Sequence, residues 1–197
     1  MSSDSLHEFL SARDLLALLI EETNKNDATA RQVVDGLSEE QLNWKPATDR
    51  WSMAECLDHL SISELSFKPY LADAIARGRQ RFPVNAPPPY LPSMMGGWLA
   101  RALVPENTGK MKAPQILQPF NPSAILGAID RFLGQQAELR HWVVDARGID
   151  YNKTRLRSPV TRLVRYSVAD AYVVMVVHAR RHLGQAARVR LAPGFPI

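Results

Sequence analysis

The chain has 197 residues, with 24 Lys+Arg against 20 Asp+Glu, five His, one Cys and 46% hydrophobic positions. That suits one globular domain over 1–197 with a core of its own, and excludes intrinsic disorder and collagen-like repeats. The lone Cys56 excludes an internal disulfide and a four-thiolate zinc site.

The first apolar run, 15–20, is bounded by Asp14 and Glu21, so neither a signal peptide nor a membrane span is expected. A cytoplasmic protein without membrane attachment follows. Charge is unevenly spread: residues 1–65 hold five basic and 13 acidic side chains, whereas 151–197 hold nine basic and only Asp170. Complementary helix surfaces, within one bundle or across a dimer, account for this. The other reading is a polyanion surface, but no aromatic residues interleave the basic positions, so nucleic acid is not the expected partner.

Apolar residues Phe9, Leu10, Leu16, Ala17, Ile20, Val33, Val34 and Leu37 recur at helical spacing, with Gly36 placed as a stop. They predict one helix over 5–35. Ser38 with Gln41 forms a short capping box, and Trp44, Pro46 and Asp49 then break the pattern, predicting a loop with aromatic anchors. A second box, Ser52 with Glu55, opens helix two, whose stripe of Met53, Cys56, Leu57, Leu60, Leu65 and Leu71 persists to about Ala76.

Nine of the 14 prolines lie between 83 and 122, together with Gly96-Gly97. The stretch 80–121 therefore reads as a long crossover, with one short helix through Trp98, Leu99 and Leu103, of the kind that rims or covers a site. Pro122 and Ser123 open helix three (Ile125, Ile129, Phe132, Leu133, Leu139, Val143), closed by Gly148. Ser167 with Asp170 caps helix four, which is apolar nearly all round over 171–177 and ends before Pro193-Gly194. The fold class expected is all-α, a four-helix bundle with its long proline-rich crossover between helices two and three.

Histidine carries what chemistry the sequence shows. His178 and His182, four apart on helix four, share a face and lie within reach of one metal ion. The intervening residues lack the Glu of H-E-x-x-H, which excludes a zincin peptidase. His59 shares a face of helix two with Cys56, Ile62 and Ser63 and points inward, either as a third ligand or as a core histidine bonded to a backbone carbonyl. Gln185 continues the His178–His182 face, where it would orient a ligand, touch a substrate or simply end the helix in solvent. His7 and His141 sit among charges and face solvent, and Cys56 is either a soft fourth ligand or inert core.

The stretch Leu42-Asn43-Trp44-Lys45-Pro46 through Trp51-Ser52-Met53-Ala54-Glu55-Cys56-Leu57-Asp58-His59-Leu60, with His178-x-x-x-His182-x-x-Gln185, resembles the DinB-like superfamily. The match spans both motif regions and the spacing between them, although 80–121 is longer and richer in proline than that family's pattern. The resemblance implies an up-down-down-up bundle, commonly a homodimer. It also implies a divalent metal on His59, His178 and His182, with zinc or nickel first and iron or manganese next. It points to S-transferases and isomerases that use low-molecular-weight thiols such as bacillithiol, mycothiol or glutathione on electrophilic small molecules. The expected function is thus a metal-dependent thiol S-transferase. The alternatives are a metal-stapled binding protein without chemistry and, from Arg155, Arg157, Arg162, Arg165 and the helix-four arginines, a nucleic-acid surface.

Overall fold

Side-chain caps set most of the helix starts in the computed structural model, which describes residues 6–107, 112–119, 127–161 and 163–196. The helix expected over 5–35 is two helices, α1 (His7–Ser11) and α2 (Leu15–Val34). Ala12 turns extended at ψ 127°, and Asp14 starts a fresh helix by accepting from Ala17 N at 3.0 Å. The apolar periodicity runs straight across this break, which is why the sequence read as continuous.

The Ser38–Gln41 box opens α3 (Glu39–Asn43), and the Ser52–Glu55 box opens α4 (Met53–Arg81), which runs five residues beyond the expected end and passes through Pro69. In the crossover, Ser93 caps α5 (Met94–Leu103), and a single 3-10 turn follows at Gln115–Leu117. The expected start of helix three at Pro122–Ser123, with Ile125, lies outside the described residues; α6 (Ala128–Asp145) carries the stripe from Ile129 onward. Gly148 follows it at φ +84°, a conformation glycine adopts without strain. The Ser167–Asp170 box opens α7 (Val168–Arg190) as expected.

A small antiparallel hairpin that no sequence pattern announces precedes α7, β1 (Arg155–Arg157) on β2 (Arg165–Ser167). Each strand has three residues, too few for a period of two to stand out from its background.

Ion pairs and contacts fix the topology. α2 and α4 each pack on α6 and α7. Between α4 and α6 the pairs Asp58–Arg131, Lys68–Glu138 and Arg79–Asp145 climb together, so the two run parallel. Glu22–Arg180 and Asp35–Arg190 do the same for α2 and α7. Between α2 and α6 the order reverses, since Asp27 meets Arg140 while Val34 packs beside Ile129. The bundle is therefore up-down-down-up. Its most deeply buried member is α7, where residues 168–177 are buried on every face. The acidic front of the chain does meet the basic back: Arg180 bridges Glu8 at 2.6 Å and also pairs with Glu22.

Among the buried polar groups of the bundle, a carboxyl on α4 is incompletely paired. Glu64 on α4 accepts from the Gln136 amide of α6, while its second oxygen has no partner. Burial, with Asp27 nearby, pushes its carboxyl well above 4.5. The folded chain then keeps a proton that the unfolded chain releases, so this group's stabilising contribution is whole below about pH 4.5 and is lost as pH rises through the folded value. Glu64→Gln is expected to raise neutral-pH stability by about 1 kcal/mol and to flatten the pH dependence above pH 4.5, as read by urea melts.

Candidate metal centre

The Ser52 cap fixes the start of α4, and the antiparallel packing of α4 on α7 sets His59 opposite His178 and His182. One ligand nitrogen from each lies within 4.8 Å of the others. Ring centroids are 5.0 Å apart for His59–His178 and 4.6 Å for the other two pairs, with rings inclined 69–83° to one another. Three near-perpendicular imidazoles converging in this way offer three donors on one face of a shared point.

Hydrogen bonds select which nitrogens face that point. His59 Nδ1 donates to the Leu117 carbonyl at 2.6 Å, which leaves its Nε2 as a lone pair, 3.1 Å from His178 Nε2. His182 Nδ1 donates to Gln185 Oε1 at 3.0 Å, freeing its Nε2 likewise. Both arrangements match the way ligating histidines are held from their far nitrogen.

Burial lowers the pKa of all three rings. His59 is shifted below 6.5, His178 well below it, and His182 to about 3. For His178 and His182 the neighbouring imidazoles and Arg181 add to the burial effect. Uncharged imidazoles are the form a metal requires, so the donor set fits a divalent cation.

The surroundings come from elements the sequence read less well. Trp51, immediately before the α4 cap, lies over His59 at 4.7 Å and His182 at 5.5 Å, walling one side. Its signal in the sequence is its place one residue before the cap that leads to His59, in the Trp51-Ser52 stretch that carries the family resemblance. Leu117 was missed altogether, because a backbone carbonyl leaves no mark in residue identity. Arg181 ties the end of α5's following turn to α7, donating to the Val104 carbonyl at 3.2 Å and to that of Asn107. Through these carbonyls and that of Leu117 the crossover lies against α7 and His59.

Gln185 is where its spacing placed it, against His182. Cys56 is not at the centre: it is fully buried beside Met53, Val33, Ala186 and Val189, and burial pushes its thiol pKa up. The soft-ligand reading of Cys56 is therefore wrong, because its position one turn before His59 turns it into the core. His7 and His141 are exposed and elsewhere. Among the described residues no carboxylate joins the cluster.

Fold and site together define a helical bundle with a three-histidine cluster suited to a metal ion. Residues 8–186 match the DinB superfamily model, and the chain belongs to that superfamily. No curated protein matches it. Among solved structures it is similar to YfiT from Bacillus subtilis, described as a probable metal-dependent hydrolase with an unusual four-helix bundle topology. The two are 13% identical, with 94% of this chain and 91% of that one covered at a TM-score of 0.58, a likeness of fold.

Proposed function

We propose that the protein is a divalent-metal-dependent enzyme in which His59, His178 and His182 hold the ion, and that it transfers a low-molecular-weight thiol to an electrophilic small molecule. The observation that carries this is the convergence of three uncharged imidazoles with no carboxylate among them. Neutral ligands leave the ion's whole charge for its open positions, and zinc, nickel, iron or manganese suits such a set. The bound ion supplies the positive charge that ionises a thiol, or lowers the pKa of water to about 7.

The chain's own residues orient and enclose. Leu117 and Gln185 hold the ligand rings from behind, and Trp51 keeps water from one side. The thiol proton leaves to solvent, the sulfur lone pair forms the new bond to the electrophilic carbon, and the leaving group departs with the pair from the broken bond. Among the described residues no carboxylate joins the three histidines, and a thiol is acidic enough to ionise without a general base, which supports transfer.

Hydrolysis is the second reading, supported by the description of YfiT. Metal-loaded wild type assayed with glutathione and other common thiols against an aryl halide, and separately with activated esters, distinguishes the two. Thiol-dependent turnover that disappears in His178→Ala supports transfer. Ester cleavage without thiol supports hydrolysis, and no turnover in either assay removes both. The reading includes a cytoplasmic homodimer, which sedimentation checks. Gln185→Ala is expected to weaken metal binding about 10–100-fold, measured by competition with a chromogenic chelator, without moving the metal-free melting temperature.

A further inference from the structure

The β1–β2 hairpin carries an arrangement that neither the bundle nor the metal centre uses. Its burial alternates: Leu156 and Tyr166, directly opposite in register, face the core, while Arg155, Arg157 and Arg165 face outward. Arg157 lies directly across from Arg165, a like-charge pair that weakens a two-stranded ladder. Among the described residues none of the three has an ion-pair partner. Asp73 on α4, which packs on β1, is paired with Arg77, and Asp170, the only acidic residue after 150, is fully buried, so neither is a free counter-charge for this face.

The connection between the strands adds apolar surface. Leu163 is 94% exposed and Val160 is 41% exposed, both next to the arginine face. We infer that this hairpin docks the protein on an anionic lipid surface, the guanidiniums meeting headgroup phosphates and Leu163 and Val160 entering the interface.

Two features favour lipid over nucleic acid. The exposed apolar residues are aliphatic, suited to the headgroup–acyl boundary, whereas single-stranded nucleic acid is held by aromatic stacking. The hairpin's one aromatic side chain, Tyr166, is turned inward. Docking of this kind departs from the expectation of no membrane attachment, and it is peripheral, since no helix among the described residues is long and apolar enough to cross a membrane.

The test is flotation of the full chain with phosphatidylcholine vesicles containing roughly one-third phosphatidylglycerol, at low and high salt, with neutral vesicles as reference. Each arginine at such a surface contributes on the order of fivefold in partitioning, so Arg155→Gln, Arg157→Gln and Arg165→Gln together should cut binding about a hundredfold. Leu163→Ser should cut it several-fold at unchanged charge. Unchanged melting temperatures show that the variants fold. Failure to float at low salt overturns the proposal, as does binding indifferent to the triple substitution. Retention on duplex DNA that competes with vesicles and ignores Leu163→Ser also overturns it, assigning the face to nucleic acid.

Discussion

Asp170→Ala is expected to lower the unfolding free energy by about 3–5 kcal/mol, read by denaturant melts at neutral pH. Asp170 is fully buried in the first turn of α7 and accepts from Ser167 N at 2.9 Å, from Tyr90 Oη at 2.9 Å and from Ser93 N at 3.2 Å. One carboxylate therefore caps the most deeply buried helix and pins the crossover to it, in the part of the helix where negative charge is favoured. Alanine strands three donors, two of them in buried residues, and each unsatisfied buried group costs about 1–3 kcal/mol.

The space around the carboxylate is equally committed. A Cβ added at Gly96 would collide with the Asp170 carboxylate, so Gly96→Ala should be destabilising by a comparable amount through displacement of the same group. A loss below about 1 kcal/mol in Asp170→Ala would mean that the crossover is held by other contacts.

The other large effect is on metal affinity. His178→Ala is expected to weaken divalent-metal binding by about a hundredfold to a thousandfold, one ligand's share of a three-imidazole site. The three rings are nearly equidistant, so removing His178 leaves a site of only two imidazoles. The metal-dependent rise in melting temperature should shrink as well, because an ion that binds only the folded chain stabilises it by an amount that grows with the logarithm of its affinity. Competition titration of both proteins with a chromogenic chelator reads the difference, and equal affinities would remove His178 from the ligand set.

Much of this architecture could be read from residues because local chemistry and global fold agree. Ser38, Ser52 and Ser167 each carry a partner three residues on, and all three capping boxes form. Helical spacing put His178 and His182 on one face and apolar neighbours turned His59 inward, but a core histidine stayed open for His59, and it was the resemblance to the DinB-like superfamily that joined the three.

What escaped the sequence depends on the backbone or on distance along the chain. Asp14 broke a helix whose apolar pattern continued, because capping decides where a helix starts while periodicity only decides which face is buried. The hairpin strands were too short to show. The Leu117 carbonyl reaches His59 across 58 positions, and no residue type marks it. Cys56 and His59 share a side of α4 by spacing, yet one lies in the core and the other at the centre, because α7 supplies histidines at one level and Ala186 and Val189 at the next.

The central claim is that three histidines from α4 and α7 hold a divalent ion. Its most direct test is elemental analysis of purified wild type beside a His59→Ala, His178→Ala, His182→Ala triple variant, both supplied with divalent ions and then desalted. The account predicts close to one ion per chain in the wild type and none in the variant. A wild type that remains metal-free, or a variant that binds as much as the wild type, would contradict it.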